Sequence, residues 1–253
     1  MTSAAITLNH VRKVYANGTT ALKDFNLAVE AGQFVSIVGP SGCGKSTVLR
    51  LIAGLGQMNS GQIHWGKEQD SRKLAFVFQE ASLMPWATVQ ENVRLPLKLA
   101  GLSTRAAAAA VAEAIALVDL QGFEQAYPRE LSGGMKMRVS IARALITQPE
   151  ILLMDEPFGA LDEMTRSRLN SDLLDLWLQK RWTVVFVTHN IYEAVYLSNR
   201  VVVMAARPGR VVADLAIDSA YPRSESFRTE PLYNQYCRQI SQALAGASQG
   251  EPL

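Results

Sequence analysis

The sequence contains little cysteine: Cys43 and Cys237 are its 2 cysteines among 253 residues. Cys43 lies inside a glycine-rich loop that a disulfide would distort, so we expect two free thiols in a reducing cytoplasm rather than a disulfide scaffold. Residues 1–9 lack the basic start of a signal peptide, and no apolar run approaches the roughly 20 residues that a membrane helix needs. We therefore expect a soluble protein that reaches a membrane only through a partner.

An excess of charge of one sign is also missing. The chain has 25 Lys and Arg against 23 Asp and Glu, and its net charge is +2. Proteins that bind nucleic acid electrostatically carry a basic excess, so we predict no nucleic-acid partner. The length and a hydrophobic fraction of 48% predict one large α/β domain, with or without a subdomain.

A glycine-rich loop between an apolar run and a predicted helix is the most informative stretch. Residues 34–38 are typical of a buried strand, and residues 48–54 of a short helix that ends at a glycine. The loop between them fits the phosphate-binding pattern G-x-x-x-x-G-K-[ST], whose glycines let successive N–H groups face phosphate oxygens. We predict that this nucleotide site consists of Gly39, Pro40, Ser41, Gly42, Cys43, Gly44, Lys45, Ser46 and Thr47.

Lys45 and Ser46 have the side chains that this chemistry requires. The Lys45 amine is a mobile cation for the β- and γ-phosphates, and the Ser46 hydroxyl can ligate Mg²⁺. The helix that follows adds the positive end of its dipole. The loop alone does not distinguish kinases, GTPases and motor ATPases, which all share it.

Two carboxylates follow the apolar residues 151–154. Asp155 lies where a predicted strand ends, which is where ligands meet parallel sheets. An acid at this position can hold Mg²⁺ through water, and the next acid, Glu156, can polarise an attacking water. We therefore predict a catalytic pair rather than two solvated acids.

A second anion site is predicted at residues 131–134. A helix begins there, so its N-terminus has bare N–H groups, and Ser132 adds a hydroxyl donor. On its own this serine would be an ordinary helix cap. One nucleotide does not need two cradles, so we interpret the second as completing the site of another subunit.

The remaining pattern predicts strands at residues 6–15 and 25–29, forming an antiparallel layer that directs Tyr15 toward the nucleotide. Helices are predicted at residues 88–97, 103–118, 134–146, 165–180 and 224–244, with a frayed tail from residue 247. The alanine-rich helix at 103–118 is expected to face the core through Leu102, Ala106, Ala109 and Ala110. We divide the single domain into a β layer and core (1–87 and 147–217), a helical subdomain (88–146) and a C-terminal helix and tail (218–253).

Taken together, these residues resemble a known family. The order of Tyr15, the phosphate loop, Gln79, residues 131–134, residues 155–156, residues 160–162 and His189 resembles the nucleotide-binding subunit of an ABC transporter. The resemblance extends to about residue 215. The short stretches that flank these motifs are similar to those of the nitrate, sulfonate and taurine import group. They lie at residues 78–80, 83–86, 155–162 and 206–210. The implied fold is a P-loop NTPase core of the ABC ATPase type, with an N-terminal antiparallel β layer and a helical signature subdomain.

The resemblance also implies residue roles. Tyr15 would stack on adenine, and Gln79 and Asp155 would join Ser46 at Mg²⁺. Glu156 would be the catalytic base, with His189 at the γ-phosphate and Lys45 and Gln79 as further catalytic residues. The residues implied to bind the nucleotide held by the opposite subunit, or to line the dimer interface, are Ser132, Gly133, Gly134 and Asp162.

The implied partners are a second copy of the chain and a membrane permease, which residues 79–93 would contact. A solute-binding protein would take part indirectly. The ATPase would then lie peripherally on the cytoplasmic face of the inner membrane and hydrolyse MgATP to drive import of a small anion. The exposed-looking residues 83–86 fit such docking, since exposed apolar patches mark interfaces.

One residue departs from the family pattern, and two rival functions remain open. Met135 stands where the family usually has glutamine. Residues 132–134, which precede it, keep the family pattern. The first rival is a soluble, non-transport ABC ATPase that acts as a homodimer, although its DNA-repair forms carry a long coiled coil that this chain lacks. The second is a small-molecule kinase or GTPase, for which the stretch at residues 131–134 and His189 would be coincidences.

Overall fold

The computed structural model describes residues 4–66, 73–206 and 208–249. Contacts divide the chain into two compact units, the first drawn from residues 1–72 and 181–253 and the second from residues 73–180. In chain order the strands and α-helices are β1 (Ala4–Val14), β2 (Thr20–Glu30), β3 (Phe34–Val38), α1 (Lys45–Ile52), β4 (Ser60–Trp65), β5 (Leu74–Val77), α2 (Val89–Leu99), α3 (Thr104–Leu117), α4 (Gly133–Leu145), β6 (Ile151–Asp155), α5 (Glu163–Lys180), β7 (Thr183–Thr188), α6 (Ile191–Leu197), β8 (Arg200–Ala205), β9 (Arg210–Ala216) and α7 (Pro231–Gln249).

The first unit contains the antiparallel layer that the sequence predicts. Its order is β2-β1-β4, and Phe25, Leu27 and Val29 of β2 alternate toward the core, as one buried sheet face requires. In the same unit β3 pairs in parallel with β7 on one side and with β8 on the other, while β9 runs antiparallel to β8. Every residue of β3 is buried, as expected for a central parallel strand covered on both faces.

The second unit combines the parallel pair β5–β6 with four α-helices and a short 3₁₀ helix at Pro128–Glu130. Helix α2 packs against α3 and α4, and it begins with a capping box in which Thr88 and Glu91 bond reciprocally. Leu169, Leu173 and Leu176 of α5 are buried, and their helical spacing places them on one core face. The predicted helices at residues 88–97 and 134–146 match α2 and α4 within two residues.

The predicted core face of α3 is wrong. Ala106 and Ala109 are exposed, and Leu102 lies before the helix, whose N-cap is Ser103. Five consecutive alanines carry no information about the phase of a helix, so Val111 and the residues after it decide which side is buried. The face that packs inward consists of Ala107, Val111, Ala114 and Ile115.

The predicted C-terminal helix also begins too early. Residues Glu225–Thr229 form a 3₁₀ turn, Glu230 is extended, and α7 starts at Pro231 and continues to Gln249. A proline suits the first position of a helix and disfavours helical backbone in the residue before it, which places the boundary here. The end of the predicted tail, residues 250–253, lies outside the described residues. Among the helices that the structure describes, none combines the length and apolar composition of a membrane span.

Candidate active site

The phosphate loop lies between β3 and α1 in the first unit. Strand β3 ends at Val38, and α1 begins at Lys45 with Gly44 as its N-cap at φ 99°. A Cβ atom on Gly44 would lie 2.9 Å from the Ala21 carbonyl oxygen, so only glycine fits both the left-handed backbone and the close approach. The loop therefore leads directly into a helix N-terminus, whose first N–H groups have no acceptor within the helix.

The Lys45 side chain folds back over this loop. Its Nζ donates hydrogen bonds to the carbonyl oxygens of Gly39 at 2.8 Å and Pro40 at 3.2 Å, and the residue is only 5% exposed. The loop thus supplies two neutral acceptors to this cation. Charged phosphate oxygens make stronger hydrogen bonds and can replace those acceptors when a nucleotide enters.

Tyr15 lies directly beside α1. Its hydroxyl shares a 3.0 Å hydrogen bond with the hydroxyl of Thr47, and Lys13 Nζ lies 5.2 Å from the ring centroid. The residue is 41% exposed. An exposed aromatic ring fixed to the first turn of the phosphate-loop helix has the geometry to stack on a nucleotide base.

His189 leaves the sheet next to the phosphate loop. The parallel register pairs Val38 of β3 with Thr188 of β7, so His189 and Gly39 both follow paired strand ends. The next residue, Asn190, caps α6 by accepting hydrogen bonds from the Tyr192 and Glu193 N–H groups, which fixes this turn. Within the first unit, the structure brings Tyr15, residues 39–47 and His189 to elements that adjoin one another.

In the second unit, the predicted carboxylates lie at the end of β6. The register pairs Val77 of β5 with Met154, so Gln79 and Glu156 each lie two residues beyond a paired position. Asp155 is buried, whereas Glu156 is partly exposed and has a left-handed backbone with φ 45°. Residues other than glycine rarely adopt this conformation, and such strain is concentrated at functional sites.

The second predicted cradle is the N-terminus of α4. Ser132 is its N-cap, and Ser132 Oγ accepts a 3.2 Å hydrogen bond from the Met135 N–H. A Cβ atom on Gly134 would lie 2.6 Å from Cγ2 of Thr165, so the start of α4 packs directly on the first turn of α5. Ser132 and Gly133 are exposed. Met135 takes part in the cap through its main chain, so its side chain does not disturb the helix start.

Asp162 caps the neighbouring helix α5. Its carboxylate accepts hydrogen bonds from the Thr165 N–H at 3.0 Å and from the Thr165 hydroxyl at 2.7 Å. These bonds, the main-chain one first, hold the pKa of the Asp162 carboxyl below its usual value. Its implied place at a dimer interface remains a prediction.

Two residues of the second unit were missed in the sequence. Asn92 is completely buried in α2, and Arg143 near the end of α4 donates to the carbonyl oxygens of Ala81 and Ser82. Asn92 could have been found, because it shares a helix face with the apolar residues Val89 and Val93 at helical spacing, where a polar residue needs an explanation. Arg143 carries no comparable signal.

Each unit contains side chains of the kind that Mg²⁺ prefers. Ser46 in the first unit offers a hydroxyl oxygen, and Gln79 and Asp155 in the second offer amide and carboxylate oxygens. Within the described ranges, no group of three or more His, Cys, Asp or Glu residues could form a metal centre. Mg²⁺ that is bound together with a nucleotide takes few protein ligands and completes its shell with phosphate oxygens and water. Both cysteines are buried, unbridged thiols.

Comparison with known proteins gives one family. The family model described as ABC transporter matches residues 22–159. The chain is 46% identical over 227 residues to the aliphatic sulfonates import ATP-binding protein of Bacillus cereus, which covers 87% of this chain and 89% of that protein. It is similar to the dimeric post-hydrolysis state of the ATP-binding cassette MJ0796 bound to ADP and Pi, with TM-score 0.73 and 34% identity, covering 85% of this chain and 100% of that one.

A second solved structure has the same fold. CbiO1 from Clostridium perfringens, part of an ABC transporter complex, matches with TM-score 0.78 and 25% identity over 94% of this chain and 99% of that one. The resemblance seen in the motifs is thereby confirmed, as is the ABC ATPase fold with its antiparallel β layer. Within the motif at residues 206–210, Arg207 lies outside the described residues. With the family model matching more than half of its length, this chain belongs to the ABC transporter family.

Proposed function

We propose that the chain is the ATP-binding and ATP-hydrolysing subunit of an ABC importer for a small anion, such as an aliphatic sulfonate, taurine or nitrate. The observation that carries the proposal is the presence in one chain of two glycine-containing helix starts of the kind that can bind phosphate, at residues 39–47 and 132–134. The name of the Bacillus cereus relative, a sulfonate import protein, supports the cargo class. The subunit itself does not touch the cargo.

The phosphate loop would bind one MgATP. Lys45 would exchange its two carbonyl acceptors for β- and γ-phosphate oxygens, and Tyr15 would stack on adenine. Ser46, Gln79 and Asp155 would hold Mg²⁺, which would neutralise phosphate charge. The remaining residues of the loop contribute mainly through their main-chain N–H groups.

Glu156 and His189 would complete the chemistry. Glu156 would accept the proton of the attacking water, and His189 would hydrogen-bond the γ-phosphate and orient that water. The strained turn at Glu156 supports this role, because it fixes where the side chain leaves the end of β6. Gln79, at the same edge of the β5–β6 pair, would contact the water and Mg²⁺.

Two copies would enclose two nucleotides. Ser132, Gly133 and Gly134 would bind the γ-phosphate held by the opposite copy, with Asp162 nearby at the interface. The dimeric MJ0796 cassette supports this assembly for a similar chain. Hydrolysis would remove contacts that only the γ-phosphate makes, so the dimer would open through a population shift.

The partner in the membrane would be a permease. Residues 79–93 would contact the permease, and Trp86, the one aromatic residue of that stretch, is 75% exposed. The subunit would lie peripherally on the cytoplasmic face of the inner membrane. A solute-binding protein would deliver the anion to the permease from the other side.

The full chain tests the ATPase assignment. We expect Glu156→Gln to lose at least about a hundredfold in phosphate release, as removal of a general base does, while MgATP still drives it into dimers on size exclusion. Lys45→Ala should lose both phosphate release and MgATP-driven dimer formation. Glu113→Gln, an exposed acid of α3, is the matched control and should behave as wild type. A Glu156→Gln protein that hydrolyses ATP at the wild-type rate would contradict the assignment of the base.

The cargo class needs a second measurement. Deletion of the gene in the source organism should abolish growth on an alkanesulfonate as sulfur source and leave growth on sulfate unchanged. Complementation with Lys45→Ala should not restore growth, whereas Glu113→Gln should. Normal growth of the deletion strain on the alkanesulfonate would count against sulfonate import and leave the ATPase assignment standing.

A further inference from the structure

In the second unit, a loop that exposes Trp86 follows Gln79 and leads into α2. We call residues 81–88 the tryptophan loop. Ser82 has a left-handed backbone with φ 47°, and its hydroxyl donates a 3.1 Å hydrogen bond to the Glu80 carbonyl oxygen. Ala87 and Thr88, at the other end, are buried. The chain therefore turns sharply just after Gln79 and returns to the core after exposing its aromatic tip.

Arg143 in the last turn of α4 holds the start of this loop. Its Nη1 donates to the Ser82 carbonyl oxygen at 2.9 Å, and its Nη2 donates to the Ala81 carbonyl oxygen at 2.8 Å. The planar fork of the guanidinium group directs a separate nitrogen at each of two successive carbonyl oxygens, whereas a lysine amine would offer a single nitrogen on a flexible stem. Nη2 also lies 3.4 Å from the Ser140 hydroxyl, which fixes the side chain against its own helix.

Asn92 of α2 holds the other end. Its Oδ1 accepts from the Met84 N–H at 2.8 Å, and its Nδ2 donates to the carbonyl oxygens of Met84, Ala87 and Thr88 at 3.0–3.2 Å. The side chain is completely buried, and all four bonds go to one stretch of backbone. A buried amide used in this way defines the shape of the loop. The tryptophan loop is thus anchored to two helices that pack on each other.

Helix α4 joins this anchor to the phosphate-binding end. It begins after Ser132, and Arg143 lies about 15 Å further along at 1.5 Å per residue. We propose that Arg143 is a positioning residue that makes the tryptophan loop follow α4, so that nucleotide closure at Ser132 alters the loop. The proposal rests on the proposed function, because closure needs a γ-phosphate held by a second copy. It assigns to one arginine the link between nucleotide state and the surface around Trp86.

Hydrogen exchange of the full-length chain tests this link. In the Glu156→Gln background, we expect MgATP to slow exchange of the amides in residues 83–88, and dimer formation is measured on the same samples. Adding Arg143→Met should leave MgATP-driven dimerisation intact but raise loop exchange about tenfold and remove its response to nucleotide, since both fork hydrogen bonds are lost. Arg143→Lys keeps the charge without the fork and should also lose the response.

The control is Arg105→Met, which replaces an exposed arginine of α3 and should keep the full response. A nucleotide response of residues 83–88 that survives in Arg143→Met dimers would overturn the proposal alone. The absence of any response in Glu156→Gln dimers would overturn it as well. Failure of Glu156→Gln to dimerise with MgATP would instead contradict the proposed function, and the proposal with it. If Arg143→Met does not fold, the test uses Arg143→Lys: a nucleotide response of residues 83–88 that survives in Arg143→Lys dimers would overturn the proposal.

Discussion

The contact between Gly134 and Thr165 supports a quantitative prediction about the start of α4. A Cβ atom added to Gly134 would lie 2.6 Å from Thr165 Cγ2, about 1 Å closer than carbon atoms approach in ordinary contact. Overpacking of this kind costs about 1–3 kcal/mol, whereas replacing glycine by alanine in a helix gains up to about 1 kcal/mol. Gly134→Ala should therefore lower the free energy of unfolding by about 0–3 kcal/mol, a range too wide for the single variant to be diagnostic.

A double-mutant cycle isolates the steric cost. Thr165→Ser removes Cγ2 and retains the hydroxyl that donates to Asp162, so it should recover the loss caused by Gly134→Ala. We expect a coupling energy of about 1–2 kcal/mol from urea unfolding followed by circular dichroism. The control is Gly133→Ala, whose Cβ atom would lie 3.2 Å from Cδ2 of Leu161, the end of a flexible side chain. The same cycle is measured for Gly133→Ala with Thr165→Ser. A Gly134–Thr165 coupling energy no larger than the Gly133–Thr165 coupling energy would refute the predicted contact between Gly134 and Thr165.

Two further predictions concern titratable groups. The pKa of the Asp162 carboxyl is lowered in the folded state, so the cap stabilises the protein above the ordinary carboxyl pKa of 3.8. This stabilisation is lost as the pH falls through the folded-state pKa. Asp162→Asn should flatten that part of the acid-unfolding curve, and an unchanged curve would contradict the cap. Burial raises the pKa of the Cys237 thiol to about 11, so at pH 8 N-ethylmaleimide should modify Cys237 far more slowly in the native protein than in urea, measured by peptide mass spectrometry; equal rates would contradict that burial.

The sequence predicted those parts of the fold in which the residue types allow only one local conformation or one buried face. The G-x-x-x-x-G-K-[ST] spacing requires a strand, a loop and a helix start, and the structure has β3, the loop and α1 in that order. The alternating residues of β2 likewise leave one choice of buried face. Where residues are chemically equivalent, as in the alanines of α3, the pattern fixes the helix but not the side that packs.

The supporting contacts could not be predicted, because they depend on distance in space rather than on spacing in the chain. Arg143 is separated from Ser82 by 61 residues, and Gly134 requires glycine only because α5 lies against it. Glu156 is a similar case. The sequence marks it as an acid after a strand, but only coordinates reveal the left-handed turn that sets its direction. The residues that we propose for the chemistry were therefore easier to infer than those that hold them in place.

The two proposed phosphate cradles also explain why Met135 is compatible with the family. In both cradles the groups available to an anion are main-chain N–H groups at a helix start, at Gly44–Lys45 and at Ser132–Gly133. Each cradle uses a glycine where a neighbouring element leaves no room for a side chain, with Ala21 against Gly44 and Thr165 against Gly134. Position 135 lies one residue beyond that contact and supplies its N–H group to the Ser132 cap whichever side chain it carries. A change from glutamine to methionine therefore alters the rim of the second cradle and preserves the atoms that would bind phosphate.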